Sequence, residues 1–315
     1  ITTGNSMSSD HNLSGQKYQH RLLTADMSER ASVLLTTLKT VWFNSGSRCN
    51  FSCQNCYMES SPDNDRLDYL ESEDITPYLD EIEVDFPAVD QVGITGGEPF
   101  LNPAIISIIK LVLSRGLSLL ILSNGAAPLK RALPRLLPLW DQYGSKLVVR
   151  ISLDHYTAQL HDRQRGTGSF DQAIATIVQL AQHNCHFTIA TRSQSGESPA
   201  AIQYHFKQML ADYAITFDPF VSDNLTIFPE MDSSAVDDLP EISTDCWNKI
   251  ERKPAELMCA SSRMVIKRRG EQQPVVTACT LLPYQSQFEL GSTLKEGVRP
   301  VYLNHPFCAQ FCVLG

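Results

Sequence analysis

The feature that most constrains the fold is a regular alternation of predicted strands and helices between residues 38 and 228. Short apolar runs rich in β-branched residues alternate with longer amphipathic segments, as in chains whose strands are joined by helices. Strands joined by helical crossovers lie parallel to each other. The alternation therefore predicts a parallel sheet, either open or curled into a barrel. About six strand–helix units fit before residue 230, fewer than the eight of a complete barrel.

The predicted elements are short and closely spaced. The predicted strands are 38–43, 91–95, 117–122, 146–153, 186–191 and 225–228. The predicted helices are 75–86, 103–115, 129–143, 169–183 and 199–213, and weaker periodicity indicates another helix over 20–36. Polar residues and glycines follow several of these strands. Because parallel-sheet enzymes bind their ligands at the carboxyl ends of the strands, these strand ends are the first place to look for a site.

Composition and charge exclude several classes of protein. The 315 residues include 26 Lys and Arg against 35 Asp and Glu, which leaves a net charge of −9 and no general basic footprint for nucleic acid. No uncharged apolar run reaches the roughly 18 residues of a membrane span, and the N-terminus does not have the pattern of a secretory signal. Residues 1–6 are interpreted as a vector-derived segment ahead of a natural start at Met7. We expect a cytoplasmic protein that binds neither nucleic acid nor membranes.

The distribution of cysteines points to a metal or iron–sulfur protein. The chain has nine cysteines, an odd number that does not resemble a disulfide framework in a protein without a signal peptide. Cys185 and Cys246 stand apart and are interpreted as ordinary thiols. The other seven form one group near the start and one near the end: Cys49, Cys53 and Cys56, and then Cys259, Cys279, Cys308 and Cys312.

The first group directly follows a predicted strand. In Cys49-Asn-Phe-Ser-Cys53-Gln-Asn-Cys56-Tyr57, three thiols lie within eight residues. Three thiolates can ligate three irons of a [4Fe–4S] cluster and leave the fourth iron open for chemistry. The alternative is a structural zinc site, which needs a fourth ligand nearby. The nearest histidines are His20 upstream and His155 downstream, so the zinc alternative is weak.

The Cys-x3-Cys-x2-Cys-aromatic pattern resembles the radical SAM superfamily over roughly residues 38–215. This resemblance implies a partial (β/α)6 TIM-type barrel and an oxidoreductase-type enzyme. Such enzymes reductively cleave S-adenosylmethionine (SAM) to a 5′-deoxyadenosyl radical, which abstracts hydrogen from an organic substrate. The resemblance assigns Cys49, Cys53 and Cys56 to the catalytic [4Fe–4S] cluster. A flavodoxin- or ferredoxin-type protein is the implied electron donor.

The resemblance extends to the SAM site. Gly96-Gly97-Glu98-Pro99 ends a predicted strand and resembles the family motif that binds the SAM amino group, for which a carboxylate is a suitable acceptor. Arg165 is expected to pair with the SAM carboxylate through its guanidinium fork. A simple strand-to-helix turn is the alternative for the glycines, and turn stabilisation is the alternative for Asn124 and Asp154. The remaining implied SAM contacts are Tyr57, Ser123, Asn124, Ser152, Asp154 and, more weakly, Ile189.

The second cysteine group resembles the C-terminal SPASM and twitch domains of this superfamily, which hold auxiliary iron–sulfur clusters. Cys259 is followed by a predicted hairpin with Gly270, then by Cys279, a Phe-x-Leu-Gly segment and the Cys308/Cys312 pair. A full SPASM domain has seven cysteines, whereas four suffice for one cluster. This favours a twitch-like domain, or a chain cut shortly after Cys312. Zinc is the alternative occupant, since four thiolates also bind it well.

These observations predict four regions and one leading function. The regions are an N-terminal extension over 1–36, a radical SAM partial barrel over 37–230, a connector over 231–253 and a small auxiliary-cluster domain over 254–315. We expect SAM and two [4Fe–4S] clusters as cofactors. Net oxidation or rearrangement of a small molecule is slightly favoured, because few residues precede the first cysteine. The alternatives are radical modification of a peptide and a non-catalytic electron carrier.

Overall fold

The computed structural model describes residues 17–193, 196–229 and 239–314. The predicted vector-derived segment, the start at Met7 and part of the predicted connector (231–238) lie outside these residues. Among the residues described, no helix has both the length and the apolar character that crossing a bilayer would require.

The strands and helices follow the predicted alternation, with most boundaries within two residues of the prediction. The strands are β1 (Ser32–Val33), β2 (Thr40–Asn44), β3 (Gln91–Thr95), β4 (Ser118–Ser123), β5 (Leu147–Ser152), β6 (Phe187–Arg192), β7 (Leu225–Phe228), β8 (Ser262–Ile266), β9 (Val275–Thr277), β10 (Glu289–Gly291) and β11 (Val301–Tyr302). The helices are α1 (Ser72–Asp85), α2 (Ile105–Ser114), α3 (Ala127–Tyr143), α4 (Ala158–Arg165), α5 (Ser169–Gln182) and α6 (Pro199–Asp212).

Six strands, β2 to β7, lie side by side in chain order and are all parallel. A helical crossover joins each strand to the next, and the strands between the helices are apolar and largely buried. Parallel sheets of this kind are covered on their faces by the helices that connect their strands. The partial (β/α)6 TIM-type barrel implied by the sequence is confirmed.

The C-terminal region extends this sheet. β8 pairs parallel with β2, and β9 and β10 then add antiparallel strands beyond it. In the described part of the chain the sheet therefore has nine strands in the order β10-β9-β8-β2-β3-β4-β5-β6-β7. The predicted Gly270 hairpin joins β8 to β9. This arrangement places β8, which follows Cys259, beside the strand that leads into the first cysteine group.

A second core surrounds the C-terminal cysteines and draws on distant segments of the chain. Ala31 and Val33, from the predicted N-terminal extension, and Ile242, from the predicted connector, pack in this core. β1 also pairs with β11. The helix predicted over 20–36 is wrong: this segment forms turns and the short strand β1, because its apolar residues pack against the C-terminal region.

Candidate active site

A cleft of about 620 Å³, including the space open to solvent, lies at the carboxyl ends of the parallel strands. Several predicted site residues that are far apart in the chain line this cleft together. The predicted residues among its lining are Cys49, Cys53, Cys56, Tyr57, Gly96, Gly97, Ser123, Asn124, Ser152 and Arg165. The lining residues that the sequence analysis missed are Met58, Ser60, Thr95, Leu122 and Arg192.

The cysteine loop is held in place by backbone hydrogen bonds at its start and between its second and third cysteines. The Cys49 N–H donates to the Ser61 carbonyl at 3.0 Å, and the Gln54 N–H donates to the Gln164 carbonyl at the end of α4 at 2.7 Å. Burial raises the pKa of Cys49 to about 12. Burial also raises the pKa of Cys53, although the nearby Arg165 opposes this shift. The loop thus presents three thiols to the cleft on a fixed backbone.

The two glycines of the Gly-Gly-Glu-Pro segment are required by close backbone packing. A Cβ at Gly97 would lie 2.0 Å from the Arg48 carbonyl oxygen, and one at Gly96 would lie 2.5 Å from the Gly46 carbonyl oxygen. Gly96 also has a φ of +135°, which side chains disfavour. The Gly97 N–H donates to Gly46 at 2.8 Å. The glycines therefore let the segment pack directly against the backbone that leads into the cysteine loop.

The Glu98 carboxylate lies behind the cleft, and its side-chain contacts differ from those expected. It was expected to accept from the SAM amino group, but it is 1% exposed and does not line the cleft. It accepts from the Ser123 hydroxyl at 3.0 and 3.2 Å, from the Asn124 N–H at 2.9 Å and from the Phe100 N–H at 3.2 Å. Burial raises the pKa of Glu98 to about 7. In this geometry Glu98 orients the residues that face the cleft.

Asn124 connects Glu98 to the cysteine loop. Its side-chain amide donates to Asn50 Oδ1 at 2.9 Å and approaches Cys49 Sγ at 3.7 Å. Its Oδ1 accepts from the Ala126 N–H at 2.9 Å. This bond stabilises the turn, which was the alternative role predicted for Asn124. Pro99 is buried at the start of a short 3₁₀ helix and supports the segment without lining the cleft.

The raised pKa of Glu98 predicts a pH-dependent difference in stability between the wild type and Glu98→Gln. Because the folded-state pKa (about 7) exceeds the ordinary value of 4.5, the wild type loses stability relative to the variant as pH rises through this range. The full difference is on the order of 3 kcal/mol. Thermal midpoints of both proteins at pH 5.5 and pH 8, measured anaerobically, test this. A wild-type advantage that does not shrink at pH 8 would contradict it.

Arg165, Asp154 and Arg192 form a charge cluster beside the cysteine loop. Arg165 Nε and Nη2 donate to the two Asp154 carboxylate oxygens at 2.7 and 3.0 Å, and Arg192 Nε lies 3.5 Å from Asp154 Oδ1. Burial by itself would raise the pKa of Asp154, but the two guanidinium groups outweigh it and hold this pKa below its usual range. Two cations face one carboxylate, so the cluster leaves positive charge at the cleft.

The bidentate bond to Asp154 changes the interpretation of both residues. The guanidinium fork of Arg165 was expected to bind the SAM carboxylate, but in this structure it is engaged by Asp154. Asp154 does not line the cleft; it holds Arg165 and Arg192 in place. Arg192 also donates to the Asn55 carbonyl in the cysteine loop at 3.3 Å. Its position at the carboxyl end of β6 was the available sequence signal.

Helix α4, which was not predicted from the sequence, positions the charge cluster of Arg165, Asp154 and Arg192. His161 is fully buried and its Nδ1 accepts from the Asp154 N–H at 3.1 Å. Burial lowers the pKa of His161 to about 4, so the ring is a neutral acceptor. Asp162 accepts from the Gly168 and Phe170 N–H groups at the start of α5. Residues 161–170 thus build the turn that carries Arg165.

Arg165→Lys is expected to weaken SAM binding about tenfold, a free-energy loss of roughly 1.4 kcal/mol. Lysine keeps the charge but cannot form the paired bonds to Asp154 that orient the group at the cleft. Arg163→Lys is the matched control, because Arg163 lies exposed on the same helix. Anaerobic equilibrium binding of SAM to the three proteins checks this. Equal dissociation constants would place the SAM carboxylate away from Arg165.

The remaining predicted contacts fall into two groups. Ser152 and Tyr57 line the cleft. Burial raises the pKa of Tyr57. Ile189 on β6 is 0% exposed in the main core and does not line the cleft. Its contact with adenine stays a prediction.

The four C-terminal cysteines converge on one cavity of about 360 Å³, a volume that includes space open to solvent. Burial raises the pKa of Cys259 and of Cys279 to about 12, and it also raises those of Cys308 and Cys312. His305 does not line this cavity. Besides the cysteines, the cavity is lined by apolar residues only: Leu257, Met258, Leu281, Leu282, Val301, Leu303 and Phe307.

The donor set of this cavity fits an iron–sulfur cluster. Four thiols with no competing polar lining match the all-cysteine ligation of such clusters. Within residues 17–193, 196–229 and 239–314, no three Cys, His, Asp or Glu side chains are grouped tightly enough to hold a single metal ion. The first cysteine group supplies three thiols, so a [4Fe–4S] cluster held there would have one iron without a protein ligand.

A parallel α/β barrel with a three-cysteine loop at its strand ends defines a class of enzyme that binds its reactants at this edge. The family model of the Radical SAM superfamily matches residues 43–201, and the chain belongs to this superfamily. Its enzymes use SAM and a [4Fe–4S] cluster, so the predicted enzyme class and these cofactors are confirmed.

Two relatives are maturation or biosynthesis proteins. The chain is 31% identical over 180 residues to the antilisterial bacteriocin subtilosin biosynthesis protein AlbA of Bacillus subtilis (strain 168), which covers 56% of this chain and 37% of AlbA. It is 31% identical over 134 residues to the mycofactocin maturase MftC of Mycobacterium tuberculosis (strain ATCC 25618 / H37Rv), covering 42% of this chain and 32% of MftC. The matches thus span about a third of the length of these relatives.

Among solved structures, the fold is similar to that of Streptococcus suis SuiB bound to S-adenosylmethionine. The TM-score is 0.57 at 12% identity, and the match covers 82% of this chain and 64% of SuiB. At this identity the similarity concerns the fold. It extends beyond the residues matched by the family model and supports the barrel assignment.

Proposed function

We propose that this protein reductively cleaves SAM in the strand-end cleft and uses the resulting radical to modify a peptide. The observation that carries the proposal is the convergence of Cys49, Cys53 and Cys56 with the Gly96-Gly97 segment and Arg165 on one cleft. The bound cluster would supply the electron that breaks a carbon–sulfur bond of SAM.

The residues of the chain have separable tasks in this proposal. The three cysteines hold the cluster and leave one iron open for the amino and carboxylate groups of SAM. The backbone of Gly96 and Gly97 borders the same cleft, and Glu98 fixes Ser123 and Asn124 beside it. The Arg165 and Arg192 guanidinium groups supply the positive charge that favours a carboxylate.

A peptide is preferred over a small molecule as the substrate. AlbA is named for the biosynthesis of a bacteriocin, MftC is named a maturase, and SuiB has been solved with its precursor peptide SuiA. These names revise the slight preference for a small molecule. The N-terminal length on which that preference depended carries no weight, because the chain matches only part of its relatives.

An auxiliary cluster bound by Cys259, Cys279, Cys308 and Cys312 completes the proposal. It is supported by the shared apolar cavity and by the position of β8, which pairs with the strand leading to Cys49. This cluster would accept an electron from the substrate radical or help to orient the substrate. A flavodoxin- or ferredoxin-type protein remains the predicted donor to the first cluster.

The test is anaerobic incubation with SAM, dithionite and synthetic peptides encoded next to the gene. We expect 5′-deoxyadenosine by chromatography and, for the correct peptide, a mass change that requires SAM. Absence of 5′-deoxyadenosine would contradict enzymatic function and favour the electron-carrier alternative. SAM cleavage that modifies none of the peptides, but does modify a small metabolite, would overturn the substrate class alone.

A further inference from the structure

Arg263 is a fully buried cation beside the C-terminal cysteine cavity. Its side chain on β8 is 0% exposed. Among the residues that the structure describes, its guanidinium donates only to backbone carbonyls, at 2.8 Å to Gly297, 2.5 Å to Cys259, 2.7 Å to Ser262 and 3.2 Å to Arg299. These carbonyls accept hydrogen bonds from the guanidinium group but bring no negative charge to it.

Arg30, also fully buried, shows the kind of counter-charge that Arg263 lacks. Arg30 is also inaccessible, and its Nη2 forms an ion pair with Glu241 Oε1 at 2.5 Å. Among the described residues, no carboxylate lies within ion-pair distance of Arg263. A buried charge without a counter-charge is costly, so proteins normally pair it.

The groups that can supply this counter-charge are thiols of the cavity. Arg263 lies four residues after Cys259 and holds its carbonyl. Cys259 is one of the four cysteines that line the cavity, so this bond places the buried cation next to the thiol site.

We propose that Arg263 is the counter-charge of the C-terminal thiolate site and raises the reduction potential of the cluster held there. The inference depends on the auxiliary cluster of the proposed function. Four thiolates make such a cluster anionic, and its reduction adds a further negative charge. A fixed cation favours the more negative, reduced state. Arg263 is a positioning residue that acts through charge and through the Cys259 backbone.

The experiment measures the reduction potential of the C-terminal cluster. The background protein is the 315-residue chain with Cys49→Ala, Cys53→Ala and Cys56→Ala. Only the C-terminal cluster remains there, so the result is independent of SAM cleavage. Dithionite supplies one electron to the [4Fe–4S] core, no bond breaks, and electron paramagnetic resonance follows the reduced state. Arg263→Gln is compared with Arg263→Lys, which keeps the charge, and with Arg115→Gln, which removes an exposed charge at the C-cap of α2.

We expect Arg263→Gln to disfavour reduction at least tenfold, a shift of about 59 mV to lower potential. Arg263→Lys should stay close to the background protein, and Arg115→Gln should match it. A normal iron content with an unchanged potential in Arg263→Gln would overturn the proposal while leaving the proposed function intact. A background protein without iron at this site would overturn the auxiliary cluster itself, and this proposal with it.

A purely structural role is distinguishable even if Arg263→Gln does not fold. The carbonyl bonds require the guanidinium fork, whereas the counter-charge requires only a cation. Arg263→Met then serves as the second uncharged variant. Folding and iron retention in Arg263→Lys, with loss of iron in both uncharged variants, would support the counter-charge. Equal loss of iron in all three variants would assign Arg263 to backbone support and overturn the proposal.

Discussion

Replacement of Cys49, Cys53 and Cys56 by alanine is expected to abolish 5′-deoxyadenosine formation and to halve the iron content. The wild type should bind about eight irons, four for each [4Fe–4S] cluster, and the variant about four. The three thiols lie on one loop of the cleft, so together they form a single ligand set. Anaerobic iron analysis and chromatography of the products measure both effects.

Cys185→Ala is the matched control for this variant. Cys185 is a buried thiol packed in the main core, and it lines neither the cleft nor the C-terminal cavity. It should keep the full iron content and SAM cleavage. Full iron retention by the triple variant would show that the loop holds no cluster. Loss of all iron would show that the two cysteine groups do not load independently.

A Cys308→Ala/Cys312→Ala variant is expected to separate the two sites in the opposite direction. It should still form 5′-deoxyadenosine when reduced, because these residues line a cavity other than the cleft. It should lose turnover of the peptide and about four irons. Its thermal midpoint should also fall, since metal binding joins the C-terminal π-helix Cys308–Val313 to the segments that carry Cys259 and Cys279.

Cys246→Ala provides the comparison for this second variant. Cys246 is half-buried at the edge of the same core and does not line the cavity. Full peptide turnover by the double variant would remove the auxiliary site from the mechanism and leave it a purely structural role. A lower midpoint with unchanged visible absorbance would indicate zinc at this site instead of a cluster.

The local patterns of the sequence were sufficient to predict the parallel sheet, and the resemblance carried by the cysteine loop implied that this sheet forms a partial barrel. Alternating apolar strands and amphipathic helices act over 4 to 17 residues, and the observed bounds of β3 and β7 equal those predicted. The three-cysteine loop is equally local, since its thiols lie within eight residues. Helix α4 was missed because it is short and largely polar, so it has no clear apolar periodicity.

Contacts between distant parts of the chain decided the partners of the site residues and the place of the C-terminal strands. Side-chain type alone could not show that Glu98 bonds Ser123 and Asn124, or that Asp154 engages the fork of Arg165. Nor could it place β8 beside β2, or reveal that Arg263 is buried without a carboxylate. The sequence by itself determined the fold class and the identity of the iron-binding thiols expected at the cleft, because these depend on short-range pattern and residue chemistry. The partners of each buried charge depend on packing between segments up to hundreds of residues apart, so only the tertiary structure decided them.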